Sequence, residues 1–498
     1  MRRDMHLSGC RIHSHVKQRF AMNRRNFLIS TSAAILTSGA LSPAATRRAF
    51  AQVSASQARL SMPPIIDTRQ TGRLALTATS GKTGFAGGPE VATAGFNQAY
   101  LGPTIVMQNG DLYAEVRNAL DEPVSTHWHG LLVPGEHDGG PHLAIAPGAV
   151  WRPAMNIAQA PATIWYHSHI HERTAEQVYF GLAGVIHLTD GRDDDRGLPS
   201  SYGLDDLSLV LQDRRFDQAG RMIYNPSMMD VMHGFAGNRM LVNGQVGATA
   251  VVPQGIVRLR LLNGANARIC TLFFDDARPM HLVATDGGFV AEPIALKMLQ
   301  LSPGERAEVL VDFAEGGAPI LLSDPGQPYG VMQFAVDPRL TTRITSIPDQ
   351  LDGVVDDLPL ADAGTRQVSL DMGVGGMGGM GMGGRGMGRG GFGINGRSYD
   401  MRRIDFRVAL GSVERWKIRS TMVAHPFHVH GIRFRILSEN GGPPRPENTG
   451  WKDTVLVTGE TEIIARFEQP AGEDTPFMFH CHILEHEDAG MMGQFTVS

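Results

Sequence analysis

Apolar positions along the chain come in short runs, and spacing of the helical kind is scarce. Residues 112–116, 207–212, 257–262, 308–313, 415–418, 433–437 and 462–467 are apolar or alternating, between stretches of Gly, Pro, Asn and Asp. Many short strands with frequent turn signals predict an all-β protein built of β-sandwiches. The pattern also repeats. Tyr113-Ala-Glu-Val-Arg-Asn118 leads to His127-Trp128-His129, and Val413-Glu-Arg-Trp-Lys-Ile-Arg419 leads to His425. Between them, Val257-Arg-Leu-Arg-Leu-Leu-Asn263 leads to Ala265-Asn266-Ala267-Arg268 and no histidine. A second element follows in the outer copies. Pro147-Gly148 precedes Trp165-Tyr166-His167-Ser168-His169, and Thr458-Gly459 precedes Met478-Phe479-His480-Cys481-His482. In the middle copy, Pro303-Gly304-Glu305 opens a similar strand without metal residues. Three related sandwiches are expected over 52–195, 200–338 and 365–498. The middle one reads as a spacer, and 339–364 as a linker over the surface.

The first 51 residues stand apart. Asn23-Arg24-Arg25-Asn26-Phe27-Leu28 is a twin-arginine pattern, an uncharged stretch follows, and Ala49-Phe50-Ala51 matches a small-residue cleavage site. The apolar run is short and rich in Ser, Thr and Ala, with Arg47 and Arg48 behind it, which argues against a membrane anchor. Residues 1–51 are therefore expected to be a cleaved signal, with Met22 as the start that gives it a normal short leader. Export through the twin-arginine machinery to the periplasm follows. This segment carries nine Lys+Arg and one acidic residue, so the remainder is more acidic than the whole chain's formal −5. Such a surface disfavours nucleic acid and anionic membranes, and no later stretch is apolar enough for stable membrane insertion. Of three cysteines, Cys10 lies in the signal and Cys270 reads as a buried inert thiol, so no disulfide framework is expected.

One low-complexity segment, 372–393, holds Met372, Met377, Met380, Met382 and Met387 among thirteen glycines. Its composition cannot build a packed core. Thioethers select soft ions, so the methionines read as a lure for Cu(I).

The chemistry concentrates in the histidines. His480-Cys481-His482 is followed by His486 and Met491. A blue-copper site is a trigonal His₂Cys plane with a long axial thioether. Cys481, His486 and Met491 supply three of those ligands, and the cluster His425/His428/His430 offers the second plane histidine. Four clusters exist: His127/His129, His167/His169, His425/His428/His430 and His480/His482/His486. Side chains at i and i+2 of a strand share a face, so each His-x-His pair can present two imidazoles to one cleft. Taking His425 and His486 for the blue site leaves eight histidines, which serve three coppers as two, three and three. Zinc would explain neither the lone cysteine nor the spacing of Met491. His137, His142, His171, His187, His233 and His281 have no matched partner and read as ordinary histidines.

His127-Trp128-His129-Gly130, His167-Ser168-His169, His425-Pro426-Phe427-His428-Val429-His430-Gly431, Gly450-Trp451-Lys452-Asp453-Thr454 and His480 through Met491 resemble the three-domain multicopper oxidases, and among these the bacterial periplasmic cuprous oxidases. The resemblance implies three cupredoxin-like Greek-key β-sandwich domains and four copper ions. It assigns His425, Cys481, His486 and Met491 to type 1 copper, and His127 and His428 to type 2. It assigns His129, His167 and His482 to one type 3 copper and His169, His430 and His480 to the other. Asp138 matches an acid beside the type 2 copper and Glu487 an acid near the type 3 pair; carboxylates there suit proton relay, although Asp138 also stands where a turn needs an Asp before Gly139-Gly140. The resemblance breaks before His425, where Thr421-Met422-Val423-Ala424 replaces the family's substrate-binding Asp and Met. Asp371, Met372 and Met422 are the candidate substitutes.

The function expected on these grounds is one-electron oxidation, of Cu(I) first and of a small phenolic donor as the alternative, coupled to reduction of O₂ to water in copper tolerance. A non-enzymatic cupredoxin scaffold of the cell envelope is the alternative from another class. It ranks behind because such proteins are expected to lack ligands, and this chain lacks none. A monomer is the family expectation.

Overall fold

The computed structural model describes residues 58–354, 358–361, 363–374, 391–420 and 422–498. The twin-arginine segment, Thr421, Met377, Met380, Met382 and Met387 lie outside the described residues. The described residues form six sheets that close three sandwiches, each around its own apolar cluster.

Alternation makes the strands and then decides what they bury. In strand Arg73–Gly84, Leu74, Leu76 and Ala78 point into the first core. They meet Leu112, Ala114 and Val116 of strand Gly110–Asn118, which runs parallel to it. The opposite sheet of this sandwich contains strand Ala162–His167, buried along its whole length. In the third sandwich one sheet orders its strands as Phe406–Val408, Met492–Val497, Phe477–Cys481, His425–Val429 and Thr454–Val457. Each of the seven apolar runs falls within or overlaps a strand. Cys270 is fully buried at the head of strand Cys270–Phe274, as its surroundings predict.

The middle sandwich departs from the expectation of a spacer. Its strand Ile256–Asn263 alternates Val257, Leu259 and Leu261 with Arg258 and Arg260. An alternating strand usually turns its polar face to water; here both arginines are buried against the first sandwich. Arg260 Nη1 donates to Thr163 Oγ1 at 3.1 Å and to Glu308 Oε1 at 3.1 Å, and Arg258 pairs with the same Glu308. Burial raises the pKa of Glu308, but the two guanidiniums outweigh it and bring it to about 2. The segment after residue 338 is likewise a strap. Ile344, Ile347 and Leu351 pack on the middle sandwich, and Trp451 Nε1 donates to Val354 O at 2.9 Å.

The Gly/Met-rich segment leaves and re-enters through paired strands. Met372, at the end of Gly364–Met372, lies opposite Phe392, the start of Phe392–Ile394. No helix among the described residues is long and apolar enough to cross a membrane.

Candidate metal centre

Two strand registers gather the histidines. In the third sandwich His428 lies directly opposite His480, and Phe427 opposite Cys481. In the first, His127 and His167 form an antiparallel bridge, exchanging backbone hydrogen bonds of 2.9 and 3.1 Å. The two pairings meet across the seam between the first and third sandwiches. The His127 ring stacks on His430 at 3.8 Å, and His129 on His428 at 3.7 Å, between centroids. All eight imidazoles are buried.

Around the seam several triads have nitrogens near enough to share an ion: His127/His428/His430, His127/His129/His167 and His169/His430/His480. The Nε2 atoms of His169 and His430 each lie 3.3 Å from that of His480. His129, His167 and His482 have ring centroids 5.2 to 5.7 Å apart. His127 and His428 are 5.7 Å apart. The far nitrogens are held from behind. His127 Nδ1 donates to Asp138 O (2.9 Å), His428 Nδ1 to Asp453 O (2.8 Å), and His167 Nδ1 to Ser168 O (2.9 Å). Their Nε2 atoms, buried, have no hydrogen-bond partner. An orphaned buried nitrogen is costly, and a ring fixed by a hydrogen bond on its other nitrogen is the usual posture of a metal ligand. Burial pushes the pKa values of His129, His167, His169, His430 and His482 well down, and that of His428 to about 4 against the pull of Asp453. These six imidazoles are neutral at pH 7, the form that binds a metal.

The second region lies inside the third sandwich. His425 Nδ1, Cys481 Sγ and His486 Nδ1 form a triangle with edges of 3.3, 3.7 and 3.2 Å. Three atoms each about 2 Å from one ion have that spacing. Burial lowers His425 to about 4 and His486 to about 3, and it raises the Cys481 thiol. Ile483 N–H donates to the sulfur at 3.4 Å. Met491 is fully buried in the same core, and its carbonyl accepts from Cys481 N at 3.1 Å. Phe392 stacks on His486 at 4.5 Å. Soft sulfur with two imidazoles fits copper, so the donor set matches the ion the sequence implied.

Both acids named from the sequence are in place. Asp138 is buried, and its Oδ2 accepts from His430 Nδ1 at 2.7 Å and lies 3.4 Å from His127 Nδ1. It follows that the residue is more than a turn former. Glu487 lies 3.3 Å from His169 Nδ1 and 3.2 Å from His480 Nδ1. Leu370 lies opposite Ser420, so Asp371-Met372 and Met422 follow the paired stretch of neighbouring strands. Asp371 Oδ2 accepts from Ser369 Oγ (2.7 Å) and Gly396 N (2.6 Å), so it closes a hairpin. Met372 packs on the third core, while Met422 is 61% exposed.

Sequence reasoning missed three acids. Asp453 Oδ1 accepts from His129 Nε2 at 3.0 Å, in a motif that had been given no role. Glu485, beside His486, accepts from Phe235 N (3.0 Å), Asn266 Nδ2 (2.9 Å) and Tyr224 OH (3.1 Å) of the middle sandwich. Asp488 accepts from Thr174 N (3.0 Å) and Ala175 N (2.9 Å) of the first. The short helix Leu484–Asp488 is thus gripped by both other sandwiches. The run Glu485-His486-Glu487-Asp488 was the available signal, because adjacent acids in an apolar setting need partners.

Three stretches, 77–193, 209–318 and 374–498, match family models described as Multicopper oxidase. The chain is 37% identical to Cell division protein FtsP of Sodalis glossinidius (strain morsitans), over 96% of this chain and 98% of that protein. It is 36% identical to Cell division protein FtsP of Escherichia coli (strain K12), over 96% and 99%. Among solved structures it resembles a laccase-like multi-copper oxidase, CueO, from a lignin-degrading Ochrobactrum sp. That match has 42% identity and a TM-score of 0.82, over 88% of this chain and 100% of the other. These relatives correct the expected function. Full-length similarity to proteins named for cell division overturns Cu(I) oxidation in copper tolerance as the main role. A complete ligand set was too narrow a basis for that choice, since it speaks for copper and is silent on biological role. By its three matched stretches, its sandwiches and its full-length relatives, the chain belongs to the multicopper oxidase family.

Proposed function

We propose that the chain is a cupredoxin scaffold of the bacterial cell envelope that serves cell division. The observation that carries this reading is similarity to FtsP along 96% of the chain. The twin-arginine pattern at Arg24-Arg25 supports a periplasmic location. The scaffold holds four coppers, one at His425, Cys481, His486 and Met491 and three at the eight-histidine seam. Copper at these ligands supplies one-electron redox chemistry. The chain's own residues do the rest. Asp138, Asp453 and the carbonyls behind His127, His167 and His428 fix the ring orientations. Burial keeps His129, His167, His169, His428, His430 and His482 neutral. Ligands drawn from two sandwiches clamp them together, so metal loading and a rigid outer surface are one event.

The test is complementation. Expression of the chain in an Escherichia coli K12 strain lacking FtsP is expected to restore wild-type cell length. An unrelieved division defect with the exported protein present in the periplasm overturns the reading.

One observation favours a second reading. No ligand position is missing, and Cys481 is peptide-bonded to both His480 and His482, so the two regions share one short stretch of backbone. A laccase-like oxidation of small phenols with O₂ as acceptor is consistent with this. Glu487, between His169 and His480, would then hold a proton at the seam. Dimethoxyphenol-dependent O₂ uptake by the copper-loaded protein, absent in Cys481→Ser, is the expected result; no uptake by the loaded wild type removes this reading.

A further inference from the structure

The middle sandwich contributes no ligand, yet its Arg306 stands where all three sandwiches meet. The side chain is fully buried. Its Nη1 and Nη2 donate to Asp453 Oδ1 (2.8 Å) and Oδ2 (2.6 Å) of the third sandwich. Its Nε donates to Thr163 O of the first at 3.2 Å. Nη1 also donates to Gly304 O (2.9 Å) of its own sandwich. The first sandwich is shaped to this pair. Gly130, which follows His129, has φ +91°, and a Cβ there would lie 2.7 Å from Arg306 Nη2 and 2.8 Å from Asp453 Oδ2. The surroundings are satisfied as well. Asp286 accepts from Arg306 N (2.7 Å) and from Lys452 Nζ (3.1 Å), and Glu305 accepts from Lys452 Nζ (2.8 Å).

The consequence is visible at His129. His127, His167 and His428 each spend Nδ1 on a carbonyl and keep Nε2 free toward the cluster. His129 does the reverse. Its Nε2 donates to Asp453 Oδ1, and its buried Nδ1 has no partner. A bidentate guanidinium holds a carboxylate in one orientation, and the carboxylate fixes both the ring angle and the tautomer of the imidazole.

We propose that Arg306 is a positioning residue for copper, acting through Asp453 to turn Nδ1 of His129 toward the seam. The middle sandwich thereby governs a site made of other sandwiches' ligands. The geometry also predicts selectivity. Asp453 bonds His129 and His428, Arg306 reaches them through Asp453, and neither makes a hydrogen bond with His425, Cys481 or His486, so the two copper regions should respond differently.

This inference rests on the reading that the chain holds copper, and the experiment separates the two. Full-length exported protein is loaded with copper and titrated with a chelator, following copper per chain. The blue thiolate absorption of the Cys481 site serves as internal control. Arg306→Met and Asp453→Ala are expected to weaken seam copper by about 10–100-fold, the size usual for groups behind a metal ligand, while the blue absorption persists. The double variant should be no weaker than either single one, since the pair acts as a unit. Asp453→Asn keeps an oxygen for His129 Nε2 and should recover most of the affinity. Wild-type seam affinity in Arg306→Met and Asp453→Ala overturns the inference. So does equal loss at both regions in Asp453→Ala and Asp453→Asn, which would make the pair a general element of folding. A wild type that holds no copper removes the copper-holding reading itself.

Discussion

The Cys481 triangle and the eight-histidine seam are built on different principles. The triangle lies in a single core. His425 and Cys481 sit on neighbouring strands, His486 on the helix that follows, and apolar residues such as Ile483, Phe392 and Met491 surround them. Its ligands come from one sandwich, although the helix that carries His486 is also held by the other two. The seam has no core of its own. Its rings come from two sandwiches, and their orientation depends on buried acids and on an arginine from a third. A site made within a core inherits the rigidity of close packing. A site made between domains exists only as well as the domains dock, and its polar members must be satisfied across the interface.

The sharpest way to break the comparison is Cys481→Ser. It should abolish the blue absorption and copper binding at the triangle and leave three coppers per chain at the seam, read by metal analysis. Loss of seam copper as well would show that the regions do not form independently.

Acid separates buried neutral imidazoles from buried ion pairs. His428 and His425 titrate at about 4 in the fold and His486 at about 3, against 6.5 when unfolded. The unfolded chain binds more protons in that interval, so stability falls as pH drops from about 6.5 to about 4. Each histidine contributes on the order of 3 kcal/mol. Glu308, at about 2 in the fold against 4.5, contributes a similar amount that is present above 4.5 and lost only between 4.5 and 2. Thermal melts of copper-free protein should therefore collapse between pH 6.5 and 4. Copper-loaded protein, whose ligands cannot protonate without releasing the ion, should hold through that window. Identical profiles with and without copper would contradict neutral ligands at His425, His428 and His486.

Asp138→Ala should weaken seam copper by about 10–100-fold, because it removes the acceptor for His430 Nδ1. The triangle should be untouched; equal loss of blue absorption would refute the separation. Gly304→Ala tests the middle sandwich as a wall. At φ +88° its Cβ would sit 2.9 Å from His482 Cδ2, so a cost of about 1–3 kcal/mol is expected, together with weakened seam copper, by denaturation and chelator titration. Met422→Ser should do least. On an exposed residue it should shift stability within about 0.5 kcal/mol and leave copper per chain unchanged. A measurable loss of copper would give Met422 a role in holding copper beyond the candidate Cu(I) site.

Much of this protein was legible because metal chemistry needs rare residues at short spacing. His-x-His, Cys481, His486 and Met491 stood out against any apolar background, and alternation gave the strands on which they lie. Asp371 and Met372 show what composition leaves open. Their composition suited a soft-metal site, but the hairpin Gly364–Met372 to Phe392–Ile394 uses Asp371 for its own turn. Asp453, Glu485 and Asp488 were invisible because their partners lie on other sandwiches, as far as 324 residues away in the case of Asp453 and His129.

The sequence by itself determined the candidate ligand residues, the β class and the three-fold repeat. All of these follow from local spacing and residue chemistry. The tertiary structure alone decided which nitrogen of each ring faces the seam. It also made Arg258, Arg260 and Arg306 interior groups of a domain that reads as a spacer. A strand's alternation says that two faces differ. Whether the polar face meets water or another domain's carboxylate is settled by docking, and docking depends on shape and charge summed over surfaces that no local pattern encodes.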